Sequence, residues 1–151
     1  MKKATFAAGC FWHVEEVFSN TKGVTSTQVG YTGGNTKNPT YEQVCTDTTG
    51  HAEAIEVQYD PNEISYEELV NVFFNNHNPT TPNQQGPDIG IQYRSSIFYH
   101  DTKQENIAKQ SKEKLNSIAK EKFGQNIVTE IKPADKFYRA EDYHQKYFQK
   151  H

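Results

Sequence analysis

Residues 3–31, KATFAAGCFWHVEEVFSNTKGVTSTQVGY, hold the pattern on which the fold of this chain turns. Lys3 to Ala7 reads as a short strand that runs into a small-residue turn at Ala8-Gly9. Phe11, Val14, Val17 and Phe18 then recur at helical spacing, with Glu15 and Glu16 between them. Gly23 is a stop signal, and Val24 to Tyr31 reads as a second strand. The result is a β-α-β unit whose strand-to-helix turn carries a cysteine, Cys10. A thiol on the first turn of a helix faces unpaired backbone N–H groups and the positive end of the macrodipole, which favours the nucleophilic thiolate. The plainer reading is a buried cysteine serving as a small hydrophobe, so the rest of the chain has to decide.

Outward from that unit, Thr32 to Pro39 is a loop rich in Gly and Asn, and Tyr41 to Cys45 looks like a structured segment. Ala52 to Tyr59 alternates as a strand, with Ile55, Val57 and Tyr59 on one side and Glu53, Glu56 and Gln58 mostly set against them. Asp60-Pro61-Asn62 turns the chain, and Ser65-x-x-Glu68 is a capping box that opens a helix containing Leu69, Val70, Val72, Phe73 and Phe74. Asn75 to Gly90 is a long polar loop with three prolines. After a strand at Ser95 to Tyr99, a second capping box, Thr102-x-x-Glu105, is expected to start the longest helix. Its expected stripe is Ile107, Ser111, Leu115, Ile118, Ala119 and Phe123, closed by Gly124. Ile127 to Ile131 is a last strand, before an aromatic and charged C-terminal segment. Two β-α-β units followed by α-β predict an α+β fold: a ferredoxin-like split βαβ sandwich with a βαββαβ core, an additional helix–strand unit and a C-terminal extension.

At 151 residues the chain is read as a single domain, 1–151, able to bury one core. A formal charge of −3 without long runs of one sign excludes nucleic acid or a membrane surface as an expected partner. Aromatic content of 13% beside a mean hydropathy of −0.91 suggests an aromatic core or pocket within a polar shell. Two cysteines without paired C-x-x-C spacing argue against zinc and against a disulfide scaffold, and a reducing cytoplasm fits them. Met1-Lys2-Lys3 ahead of Cys10 faintly resembles a lipoprotein signal, but the apolar stretch between is shorter than the roughly 7–15 residues such a region needs.

Further polar groups could converge on Cys10. These are Tyr41, closing the Asn38-Pro39-Thr40 loop; Glu53 in Gly50-His51-Ala52-Glu53; Asp88 after Gly86-Pro87; and Tyr93 in Gln92-Tyr93-Arg94-Ser95. A thiolate to attack an electrophile, an acid to protonate the departing oxygen and two phenols to hydrogen-bond it form a coherent set. Glu53 could serve as that acid at neutral pH only if burial raises its pKa. Taken singly, each has a plainer reading: a solvated strand glutamate, half-buried tyrosines, a turn-stabilising aspartate, and Phe11 and Trp12 as core.

Together the segments are no longer generic. Gly9-Cys10-Phe11-Trp12, Gly30-Tyr31-Thr32-Gly33-Gly34, Asn38-Pro39-Thr40-Tyr41, Gly50-His51-Ala52-Glu53, Tyr59-Asp60-Pro61, Asn76-His77-Asn78-Pro79, Gln85-Gly86-Pro87-Asp88-Ile89-Gly90, Gln92-Tyr93-Arg94-Ser95 and Ala140-Glu141-Asp142-Tyr143-His144-Gln145 occur in order. Throughout nearly its whole length the chain resembles the A-type peptide methionine sulfoxide reductases. The resemblance implies Cys10 as the nucleophile toward the sulfoxide sulfur and Glu53 as proton donor to its oxygen. It further implies Tyr41 and Tyr93 as hydrogen-bond partners, Asp88 as an organising polar residue, and Phe11 and Trp12 as the apolar wall for the S-methyl group. It implies no metal and no organic cofactor. The implied substrate is methionine-S-sulfoxide, free or in peptides, and the implied product is methionine.

The chain departs from the family twice. His13 stands where a glycine usually follows Gly-Cys-Phe-Trp, and no C-terminal cysteine is present to resolve a sulfenic acid. Cys45, the only other thiol, reads as structural, which leaves recycling to an external thiol: thioredoxin, glutaredoxin or a small thiol. A monomer is expected. The rival readings are a thiol peroxidase using Cys10 on hydroperoxides, a cysteine hydrolase pairing Cys10 with a histidine, and a non-enzymatic module that binds oxidised peptides.

Overall fold

A computed structural model describes residues 2–150. Strand β1 (Lys2–Ala8) leads into helix α1 (Phe11–Ser19), and β2 (Val24–Thr32) returns. A short helix, α2 (Tyr41–Cys45), precedes β3 (Ala52–Tyr59) and α3 (Tyr66–Asn75). Two-residue arms β4 (Gln84–Gln85) and β5 (Asp88–Ile89) form a small hairpin, followed by β6 (Ser95–Tyr99) and the long helix α4 (Thr102–Phe123). The chain closes with β7 (Glu130–Pro133), β8 (Tyr138–Arg139) and α5 (Tyr147–Lys150).

The main sheet has the order β7-β6-β1-β3-β2-β8. Its inner four strands are antiparallel, in the order expected of a split βαβ sandwich, and α4 carries the chain over to β7, which joins β6 in parallel. Alternation along the strands decides the layers. Ala4, Phe6, Ala8, Ile55, Val57, Tyr59 and Ile97 face the helices and form the main core with Val14, Phe18, Leu69 and Phe73. Phe6 stacks on Phe18 at 5.1 Å and on Phe73 at 5.2 Å. The other face, with Ala7, Ala52, Ala54 and Phe98, is covered by Ala134 and Phe137 of the C-terminal segment. That segment crosses β2 so closely that a Cβ at Gly30 would lie 2.3 Å from the Tyr138 carbonyl oxygen, so only glycine fits there.

Local signals placed most elements and missed some details. The capping box of α3 is present, with Ser65 accepting from the Glu68 N–H. At α4 the cap is Asp101, which accepts from the Gln104 N–H at 2.8 Å, one residue earlier than expected. Asp caps as well as Thr, and Thr102 becomes the first helical residue. The helix buries Gln104, Ala108, Ser111 and Ala119, while Ile118 stays 59% exposed, so its inner stripe is made of smaller residues than the apolar spacing suggested. The last long strand begins at Glu130 rather than Ile127, because Ile127 N–H donates to Asn116 Oδ1 and Val128 N–H to the Pro79 carbonyl instead of to a ladder. Glu53 points to the helix side with Ile55, as the period of two requires, and not away from it.

One buried polar chain ties α3 to β6. His77 Nδ1–H donates to the Phe73 carbonyl at 2.7 Å, and Nε2 lies 2.8 Å from Ser95 Oγ, which is 2.7 Å from Thr129 Oγ1. Nδ1 must carry a proton because a carbonyl only accepts. Burial pushes the His77 pKa down to about 4. The neutral ring therefore stabilises the fold fully above the usual histidine range, and that stabilisation is lost as pH falls through 6.5 toward 4. The shift corresponds to at most about 3 kcal/mol, less what solvent at this half-buried residue screens. His77→Gln should flatten the fall of Tm between pH 7 and pH 4.5; an unchanged slope in that variant would assign the acid sensitivity to other groups.

Candidate active site

The site is built where β1 hands over to α1. Gly9 takes a φ of +92°, and a Cβ there would lie 2.8 Å from the Gln85 side chain, so glycine lets the β4–β5 hairpin close over the turn. Cys10 is the N-cap of α1, and its carbonyl accepts from Val14 N–H at 3.3 Å. The N–H groups of Trp12 and His13 point at its sulfur and favour the thiolate, as the sequence suggested. Burial works against them and is the larger effect, and the negative charges of Glu53 and Asp88 add to it, so the Cys10 pKa is pushed up to about 11. At neutral pH Cys10 is a thiol: the helix start favours the thiolate, but burial outweighs it. His13 is exposed.

Glu53, near the start of β3, is 1% exposed. Its Oε1 accepts the Phe11 N–H at 3.3 Å, and its Oε2 is buried with no partner. Burial is the main cause of a pKa raised to about 8; the Phe11 N–H lowers it, and the Asp88 charge raises it. Below that pH the carboxyl holds its proton. Oε1 is occupied as an acceptor, so the proton sits on Oε2, the oxygen with nothing to donate to within the chain. Glu53 is thus a buried carboxylic acid next to the turn that carries the thiol.

Tyr41 is the first residue of α2, whose N-cap Thr40 forms a capping box with Gln43. Its backbone N–H donates to Glu141 Oε2 at 3.0 Å, and its ring packs 4.5 Å from His144 and 6.5 Å from Phe11. Its hydroxyl donates to the thiol of Cys45, and burial followed by that bond raises its pKa. Tyr93 ends a 3₁₀ turn, Ile91–Tyr93, held by Arg94, whose Nη1 donates to the Ile91 carbonyl and whose Nε pairs with Glu130 at 2.9 Å. Burial, then the charges of Glu53 and Asp88, push Tyr93 up to about 12. Neither phenol is hydrogen-bonded to Glu53, although the Glu53 charge reaches both. Asp88 pairs in register with Gln85 in the hairpin over Gly9, and its charge reaches Cys10, Glu53 and Tyr93. Cys45 is exposed at the end of α2, so it is no buried filler.

Phe11 and Trp12 belong to one aromatic cluster, to which the C-terminal segment contributes. Phe11 is 1% exposed against Tyr31, Tyr41 and His144. Trp12 Nε1–H donates to His144 Nδ1 at 2.9 Å, and its ring stacks on Tyr147 at 3.8 Å. Accepting at Nδ1 puts the His144 proton on Nε2, which is buried without a partner. Tyr31 hydroxyl donates to Glu141 Oε1 at 2.9 Å, so one carboxylate holds both Tyr31 and the start of α2. Reading the sequence assigned no role to Tyr31, Glu141, His144 or Tyr147. For Glu141, His144 and Tyr147 the signal was the polar–aromatic run 140–147, and for Tyr31 the segment 30–34, neither of which says anything of their packing partners. Among the described residues no cluster of three His, Cys, Asp or Glu could hold a metal ion, and no helix is long and apolar enough to cross a membrane.

Residues 2–151 match the family model described as peptide methionine sulfoxide reductase. A peptide methionine sulfoxide reductase MsrA of Methanosarcina acetivorans is 57% identical over 150 residues, which cover 99% of this chain and 79% of the relative. Among solved structures, methionine sulfoxide reductase A of Corynebacterium diphtheriae superposes with a TM-score of 0.93 at 38% identity, covering 99% of this chain and 74% of that one. The Saccharomyces cerevisiae protein Mxr1, in a structure of its complex with Trx2, superposes at 0.66 with 28% identity over 97% of this chain and 84% of its own.

Proposed function

This chain belongs to the peptide methionine sulfoxide reductase family, and from that premise we propose that it reduces methionine-S-sulfoxide, free or peptide-bound, through a sulfenic acid on Cys10. Cys10 sulfur attacks the sulfoxide sulfur while Glu53 Oε2–H protonates the sulfoxide oxygen, and the proton given up by the thiol restores Glu53 to its acid form. Tyr93 and Tyr41 hydrogen-bond that oxygen as charge develops on it, and burial, with the Asp88 charge adding to it, keeps Glu53 in its acid form. The sulfoxide sulfur gains two electrons and leaves as methionine. The thiol sulfur loses two and keeps the oxygen as S–OH. Phe11 and Trp12 receive the S-methyl group.

The observation that carries this reading is the buried, protonated and unpartnered oxygen of Glu53 beside the Cys10 turn. The departing oxygen of a hydroperoxide could use the same acid, but an apolar methyl wall gives a hydroperoxide no benefit.

A dithiol reductant of the thioredoxin type then clears the sulfenic acid. Its first thiol displaces water to form a mixed disulfide, and its second releases Cys10. The complex of the relative Mxr1 with Trx2 supports that choice over glutaredoxin or a small thiol. Two free thiols suit a reducing compartment such as the cytoplasm, and we read the protein as a monomer.

The reading is tested by a single turnover without reductant on a peptide carrying methionine-S-sulfoxide, followed by intact mass. One methionine per chain with one oxygen retained on Cys10 is expected; no methionine would sink the reductase. Cys45→Ser should leave both this step and thioredoxin-driven steady state within about twofold. A collapse confined to the recycling phase would instead make Cys45 the resolving thiol.

A further inference from the structure

Glu15 is a buried carboxylate, 2% exposed, that the proposed chemistry does not use. It lies on α1 three residues after Trp12, on the same helix face. Burying a charge costs several kcal/mol unless it is paired and hydrogen-bonded, and all of its partners come from two segments. Oε1 accepts the Lys146 backbone N–H at 2.7 Å. Oε2 accepts the Thr27 hydroxyl at 2.8 Å and the Lys146 ammonium at 3.3 Å. The ammonium also reaches the Thr27 carbonyl and hydroxyl. Lys146 itself sits at φ +55°, a left-handed conformation that a lysine adopts only when its surroundings hold it there.

Lys146 stands between His144 and Tyr147, the two residues that grip Trp12 from opposite ends: one accepts its indole N–H, the other stacks on its ring. The left-handed turn at 146 lets two residues three apart both address one side chain. On the strand side, the Gln145 side chain pairs with both the N–H and the carbonyl of Val29, so the segment is bolted to β2 and α1 together. We infer that the Glu15–Lys146 clip is the positioning device that seats the C-terminal segment on α1 and thereby fixes Trp12 in the substrate wall. The inference rests on the reductase reading for its kinetic part. A wall that contacts the methyl group equally before and during the reaction contributes uniform binding, so loosening it raises KM and spares kcat.

Trp12 is the only tryptophan in the chain, so its fluorescence reports on this contact alone. In Glu15→Gln an amide NH₂ faces the Lys146 donors; Lys146→Gly keeps the N–H, suits the positive φ and removes the ammonium. Each folded variant is compared with the wild type by Trp12 emission at 25 °C and by kinetics on a methionine-S-sulfoxide peptide. Emission at longer wavelength with KM raised about tenfold for Glu15→Gln, and less for Lys146→Gly, at kcat within twofold, is the expected result. General loss of stability would not move the emission of the folded protein. Unchanged emission in both variants, or a fall in kcat at constant KM, overturns the inference. If Glu15→Gln does not fold, Lys146→Gly decides alone. A wild type without turnover would sink the reductase reading, while the emission shift would still decide the clip.

Discussion

Cys10→Ser is expected to lose turnover by about 10⁴-fold or more, to the limit of detection, while remaining folded. The reason lies in the electron count. The reaction ends with a two-electron oxidation of the attacking atom, which sulfur accepts as S–OH and a serine oxygen does not. The fold has no need of the sulfur. Cys10 occupies an N-cap without a side-chain capping bond, and serine is among the best capping residues, so α1 should hold or gain up to ~1 kcal/mol. Loss of activity at unchanged or higher Tm would separate chemistry from structure. Turnover surviving in the serine variant would remove Cys10 from its role and the sulfenic acid with it.

Glu53→Gln should lower the single-turnover rate by roughly 10²–10⁴-fold, with a small effect on binding, because the proton is delivered in the transition state. The pH dependence makes the test sharper. Glu53 acts as an acid and holds its proton up to about pH 8, so the wild-type rate should fall as pH rises through that value. The glutamine variant should lack that limb. Linkage gives a second effect, on stability, in the same pH direction. An unfolded glutamate ionises above about 4.5 while the folded one resists to about 8, so the buried carboxyl makes the fold less stable as pH rises between the two. At pH 7 that penalty is about 3 kcal/mol, as an order of magnitude. Glu53→Gln should therefore lose the decline of Tm between pH 5 and pH 8 as it loses activity. A rate unchanged by the substitution would reassign the proton donor, and Tyr93 would be the next group to test.

Much of the fold was legible because its signals are local. The alternation of Ala52–Tyr59, the helical spacing from Phe11 to Phe18 and the Ser65–Glu68 capping box each act within a few residues, and each stands where it was read. The misreadings are competitions for hydrogen bonds. Asp101 outbid Thr102 for one cap, and Ile127 and Val128 give their N–H groups to Asn116 and the distant Pro79 instead of to a ladder.

The sequence by itself determined the α+β order, the cysteine at a strand-to-helix turn, and the set of residue types, Cys10, Glu53, Tyr41, Tyr93 and Asp88, around which the proposed chemistry is built. Only the tertiary structure decided their protonation. The two helix N–H groups pull the Cys10 pKa down, but desolvation outweighs them and lifts it to about 11 and lifts Glu53 to about 8, which makes the pair a thiol beside an acid at neutral pH. Only the tertiary structure, too, brought Glu141, His144, Lys146 and Tyr147 onto α1 and α2. Propensity and periodicity act over a few residues, whereas desolvation and the partners of a buried charge depend on which distant segments the packed chain sets against one another.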